Sequence, residues 1–239
     1  MNNQTIGFDR ELDLDWLDLT AGLVLEGLDI QRIRQELLER LADEIRGEKA
    51  RKNTITVLTR VWVRVPKEHQ ALHSEALALL PEISSEDRLW LHWGMSLLAY
   101  PFFHDVATTV GRLLNLQGKF ESTQVLRRMR ESWGHRTTLE RAVQRLLRTF
   151  VNWNVTRTMP PDNHMYQATP PRQTSDSELA LWFLECLLSE RQLPLPDLIQ
   201  SPAAFPFDLT HHIVAVRRSE RFEVNRQGLD LEMVAPRVK

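Results

Sequence analysis

Between Leu139 and Phe150 the apolar residues Leu139, Ala142, Val143, Leu146, Leu147 and Phe150 recur at i, i+3, i+4, i+7, i+8 and i+11. That spacing makes one apolar stripe on an α-helix and cannot be laid on one face of a strand. Thr137 and Glu140 stand three residues apart at its start, the spacing of a capping box. Upstream, Val125, Leu126, Met129 and Trp133 give a second inward face over Ser122 to about Trp133. Gly134 follows, suited to end that helix in a left-handed turn. Helix, short glycine turn and capped helix predict a helix-turn-helix, and the rest of the chain must pack around it.

The charge on this unit points to a polyanion. From Lys119 to Arg157 there are nine basic and three acidic residues, a local net of +6, in a chain whose formal net is −2. Eight of the nine are arginine, the better fork for phosphate oxygens and guanine edges. Arg141, Arg145 and Arg148 fall at i, i+4 and i+7, away from the apolar stripe. The expected DNA-binding residues are Lys119, Arg127, Arg128, Arg136, Thr137, Thr138, Arg141, Arg145, Arg148 and Arg157, the two threonines offering a helix N-terminus to phosphate. The plainer reading is a solvated face. By contrast, residues 1–50 carry twelve acids and six bases, an acidic surface suited to a protein partner or to the chain's own basic middle.

At 239 residues the chain is long enough for a sizeable core. A single cysteine, Cys186, excludes an internal disulfide framework and fits a reducing compartment. No apolar run approaches the roughly 20 residues of a membrane span, and the acidic start lacks the pattern of a secretory signal. A cytoplasmic location is therefore expected. Nine glycines without a glycine-rich phosphate loop argue against a nucleotide-binding α/β fold.

In chain order, residues 1–8 are expected to fray. Helices follow over Glu11–Glu26, stopped by Gly27, and over Ile30 to about Arg46, capped by Asp29. Residues 54–65 fit a helix through Ile55, Leu58, Trp62 and Val65. They fit a strand equally through Ile55, Val57, Val61, Val63 and Val65. Helices are predicted for His69–Leu80, for the Trp-rich run from Ser84 or Ser85 to Ala99, and for Phe102–Asn115. Residues 154–158 and 164–168 flank Pro160-Pro-Asp-Asn163 and read as a wing; an irregular linker is the alternative, given four nearby prolines. After a polar linker at 172–178 the plan recurs: an apolar helix over Leu179–Glu190, a short turn or helix among prolines over Leu195–Ser201, a helix from Asp208 to Arg218, and a hairpin around Gly228. The expected fold is mostly α. It has a helical domain over 1–104, a winged-helix unit over 105–171 and a second winged-helix-like unit over 172–239.

Catalytic and metal chemistry finds little footing. His69 and His73 lie at i, i+4, but no third ligand is in sequence reach. His211 and His212 are adjacent and point apart. Cys186 sits on an apolar face as a core thiol. The seven tryptophans occupy core-like helical positions rather than a stacking platform. No enzyme, cofactor or metal is expected.

Three stretches resemble a known family. Leu23-Val-Leu-Glu-Gly-Leu-Asp-Ile-Gln-Arg-Ile-Arg34 resembles an early helix junction of BrxA, a small protein of the BREX bacteriophage-defence systems. Arg88-Leu-Trp-Leu-His-Trp93 through Tyr100-Pro-Phe-Phe-His-Asp105 resembles its central passage, and Thr138–Val155 a later helix. The likeness covers about residues 20–155. It implies a mostly helical, non-enzymatic protein with a NusB-like helical N-terminal part and a winged-helix part that binds double-stranded DNA, working beside other phage-defence proteins. The proline-rich segment and the C-terminal 60 residues depart from the family pattern. The rival functions are a protein-interaction adaptor in the same assembly and an RNA-binding factor of NusB type.

Overall fold

The computed structural model describes residues 5–161, 164–189, 191–227 and 231–237. Its centre is Trp93, on helix α5 (Arg88–Ala99). The indole lies 5.0 Å from both Phe103 and Phe150, 5.3 Å from Phe205, 5.9 Å from Phe207 and 6.0 Å from Trp153. Its Nε1–H donates to the Ala203 carbonyl at 2.9 Å. One side chain therefore joins the middle of the chain to its last third, and buried side chains form a continuous cluster from Ile6 to Val234. No described helix is long and apolar enough to cross a membrane.

Helices α1 (Leu14–Leu25), α2 (Ile30–Arg40), α3 (Glu48–Trp62) and α4 (Gln70–Leu79) precede α5. Asp29 caps α2 as expected, accepting from the Gln31 and Arg32 amides. Helix α2 stops at Arg40, short of Arg46, and the chain turns before α3. The segment at 54–65 resolves as helix through Trp62, with residues 63–65 beyond its end. Ile55, Leu58, Val61 and Trp62 are buried together on one face, and packing against α1, α2 and α5 outweighs the β propensity of the valines. The expectation of fraying at residues 1–8 is corrected. Ile6 and Phe8 are buried, with Phe8 against Tyr100 and Phe103, each at 5.3 Å. Residues 1–4 lie outside the described residues.

Pro101 starts α6 (Pro101–Gln117) at its first position, where a missing N–H costs nothing. Then come β1 (Lys119–Glu121), α7 (Ser122–Trp133), α8 (Leu139–Asn152), β2 (Thr156–Thr158) and β3 (Met165–Ala168). The strands form an antiparallel sheet in the order β1-β3-β2. Next are α9 (Ser177–Leu188), β4 (Leu193–Pro194), α10 (Leu195–Ile199), α11 (Ile213–Arg218), β5 (Phe222–Gln227) and β6 (Leu231–Pro236), whose sheet runs β4-β6-β5. The two units thus repeat one plan: helix, strand, helix, helix, strand, strand, with the last strand in the middle. The first strand of each is new relative to the sequence expectation. Residues 162–163 and 228–230, where the sequence leads one to expect turns, lie outside the described residues.

The units meet along α6. A Cβ placed on Gly111 would lie 1.9 Å from the Pro202 carbonyl oxygen, so only glycine lets the two backbones approach this closely. Arg221, at the start of β5, reaches Glu75 of α4 at 2.6 Å, Glu185 of α9 at 3.0 Å and Glu178 at 3.6 Å. The Glu75 contact ties the C-terminal unit to the helical body, and the other two hold Arg221 to α9 within the unit.

Candidate nucleic-acid interface

Helix α8 is positioned from beneath. Leu139, Ala142, Val143, Leu146, Leu147 and Phe150 are all buried, as their spacing predicts. The turn before it uses Gly134 at φ +74°, a conformation that suits glycine. The expected capping box at Thr137 and Glu140 is absent. Thr138 is the cap residue, in helical conformation and without a side-chain bond, and Glu140 turns instead toward Arg130 at 3.4 Å. A reciprocal box belongs to α7, where Gln124 Oε1 accepts the Glu121 amide at 2.8 Å.

The expected DNA-binding residues fall into three groups. Thr137, Thr138 and Arg141 are exposed at the start of α8, with Arg136 in the turn, its guanidinium 5.9 Å from the Trp133 ring centre. Arg127 and Arg128 are exposed on α7. Arg128 pairs with Glu131 at 3.5 Å and lines a groove along α6 with Thr109 and Leu116. Lys119 and Arg157 lie on the two outer strands, both opposite Gln167 of β3. Opposed residues share a sheet face, so these two form one cationic row, and Arg157 donates to Gln167 at 3.2 Å. The next row, Phe120 against Tyr166, stacks at 5.2 Å and turns inward. The Lys119–Arg157 row therefore faces away from the body on the sheet's outer side.

Arg145 and Arg148 are not free as the stripe implies. Arg145 is half-buried and donates to the Asp9 carbonyl at 2.6 Å. Arg148 stands 4.0 Å from Glu11. Both meet an N-terminal strap that crosses α8. The Leu12 amide donates to Thr149 Oγ1 at 3.0 Å, Trp153 donates to the Leu12 carbonyl at 3.0 Å, and Asn152 donates to Glu11 at 3.2 Å and Asp13 at 3.0 Å. Burial raises the Asp13 carboxyl above its ordinary value, the Asn152 hydrogen bond opposing it. The solvent face of α8 is thus open at its first turns and tied to an acidic segment farther on.

A notch of about 530 Å³ separates α8 from the β2–β3 hairpin. Gln144, Asn152 and His164 line it beside Arg148. Sequence reasoning missed all three: they are polar residues outside the arginine pattern, placed together only by the hairpin's return. The second unit differs in charge. From Arg172 to Arg237 there are seven bases and ten acids. On α11 Val214 is exposed, and Arg217 is held by Glu232 through two contacts of 2.9 and 2.8 Å.

Elsewhere, His73 donates its Nε2–H to the Trp62 carbonyl at 2.9 Å, and burial lowers its pKa; His69 sits in a separate 3-10 turn. Cys186 is buried, which pushes its thiol well up. Among the described residues no cluster of three or more His, Cys, Asp or Glu could hold a metal ion. No family model, curated protein or solved structure matches the chain.

Proposed function

We propose that the chain is a non-enzymatic, cytoplasmic double-stranded DNA-binding component of a BREX-type phage-defence assembly. The observation that carries this is the unit α6-β1-α7-α8-β2-β3 with strand order β1-β3-β2. That order supports reading the unit as a winged helix, with α8 as recognition helix and the β2–β3 hairpin as wing. Its exposed arginines, Arg127 and Arg141 foremost, are suited to phosphate and base edges. Thr137 and Thr138 put the positive end of α8 where a phosphate would lie. The resemblance to BrxA supplies the defence context. The NusB-like character of the N-terminal helices belongs to the same proposal.

The test is a salt-dependent titration on duplex DNA, duplex RNA and single strands of equal length. Duplex DNA should bind tightest, with log K falling as log salt rises by about 0.9 per neutralised phosphate. Arg127→Ala and Arg141→Ala should each flatten that slope by about one such step. Equal binding of RNA would support the NusB-type reading instead. An adaptor role has one observation in its favour: Arg130, Arg145 and Arg148 all find partners within the chain. Absence of DNA binding would promote it.

A further inference from the structure

Glu11 stands where a nucleic-acid face should be most basic. Its side chain is 42% exposed and lines the notch between α8 and the hairpin, opposite an Arg148 side chain that is 66% exposed. Asn152 Nδ2–H donates to one carboxylate oxygen at 3.2 Å, and Arg148 lies 4.0 Å from the other. The backbone on both sides is fixed, at the Asp9 carbonyl by Arg145 and at Leu12 by Thr149 and Trp153. Leu12 itself is fully buried. The backbone that carries Glu11 is therefore fixed beside the notch, and the Asn152 hydrogen bond holds its carboxylate at the notch lining.

We infer that Glu11 is a specificity-determining residue of this face, keeping phosphate out of the notch and reserving Arg148 for a base edge. A phosphate approaching Arg148 meets a second anion at the same distance, and the two repel. A base pair does not suffer this. In the major groove guanine offers the acceptors O6 and N7, which suit arginine, and cytosine offers an N4 amino donor, which suits a carboxylate. An arginine and a glutamate about 4 Å apart match both edges of one G·C pair. The cost is weaker general binding; the gain is a larger ratio of specific to non-specific affinity.

The inference rests on the proposed duplex binding by α8, and the experiment separates the two. Binding of a mixed-sequence duplex is titrated against salt for wild type, Glu11→Gln, Arg148→Ala, the double variant and Arg141→Ala. Glutamine keeps the acceptor for Asn152, and a thermal midpoint equal to wild type confirms the strap is in place. Glu11→Gln should bind several-fold tighter, with the slope of log K against log salt steeper by about 0.9, one added phosphate. That gain should vanish in the Arg148→Ala background. If Arg141→Ala weakens binding but Glu11→Gln matches or falls below wild type, the inference is overturned and the DNA-binding reading stands. A gain that survives Arg148→Ala also overturns it, since Glu11 would then act elsewhere. If neither Arg141→Ala nor Glu11→Gln moves binding, α8 is not the face, and reading and inference fall together.

Discussion

The indole of Trp62 donates to Nδ1 of His92 at 3.2 Å, and this bond decides which nitrogen of a fully buried imidazole carries the proton. Tryptophan can only donate, so Nδ1 must be bare and Nε2–H must donate, which it does to Asp18 at 2.8 Å. Protonation would set two N–H groups against each other. Burial lowers the His92 pKa, against the pull of Asp18. The unfolded chain therefore takes up a proton near the ordinary histidine value of 6.5 while the folded chain does not. The stability this gives is present above that pH and lost as pH falls below it. His73 and His212, also lowered by burial, act in the same direction. The urea midpoint should decline from pH 7.5 to 5.5, and His92→Gln should flatten the decline. A midpoint that holds steady over that range would refute the argument.

Arg221→Ala should loosen the C-terminal unit. The guanidinium is only 17% exposed and serves three carboxylates. Its removal leaves Glu75 and Glu185 partly buried without this cation, at a cost of about 2 kcal/mol, below the range for fully buried pairs. Urea unfolding reads the loss, and proteolysis should find the 172–178 segment sooner. Unchanged stability would mean that the apolar contacts alone hold the unit.

Two glycines should answer alanine in opposite ways. At Gly111 a Cβ collides with backbone, the Pro202 carbonyl oxygen at 1.9 Å, so Gly111→Ala should cost about 1–3 kcal/mol by overpacking, or more if neither chain can shift. Gly22, inside α1, has nothing within 4 Å of its added Cβ, and Gly22→Ala should gain up to about 1 kcal/mol in helix propensity. Thermal denaturation of the two variants side by side checks both signs.

Arg141→Ala and Arg145→Ala should part company. Arg141 is exposed, with no ion pair among the described residues, so its loss should leave the thermal midpoint unchanged. Arg145 donates to the Asp9 carbonyl across 136 positions of chain, and its loss should cost about 1 kcal/mol, the net value of a hydrogen bond, with more if the carbonyl is left dry. Equal midpoints would show that the strap does not depend on this contact.

Most helices were legible because their apolar spacing is local: α8 buries every residue its period assigned to the inside, whereas in α3 the valines fitted a strand as well and only packing decided. Strands β1 and β4 were not. They span three and two residues, and what makes Lys119–Glu121 a strand is β3, more than forty positions away. Phe8 went unread for the same reason, since only the fold brings Tyr100 and Phe103 against it. The arginines of the candidate site could be counted in the sequence, but their partners could not. A backbone carbonyl at Asp9 leaves no mark in the pattern of residue types. The capping box was misplaced because Thr-x-x-Glu and Glu-x-x-Gln both stand before apolar runs, and tertiary contact with Arg130 drew Glu140 away.

The close seat of α6 on residues 202–204 has a mechanical consequence. Helix α6 opens the first copy of the repeated plan and also seats the second, so the contact at Gly111 and Pro202, and not the connecting segment at 172–178, holds the two together. The separation and angle of α8 and α11 are then properties of the backbone, set like the jaws of a fixed gauge. Anything that touches both copies at once must have the right span already, and a partner of the wrong length gains one contact rather than two.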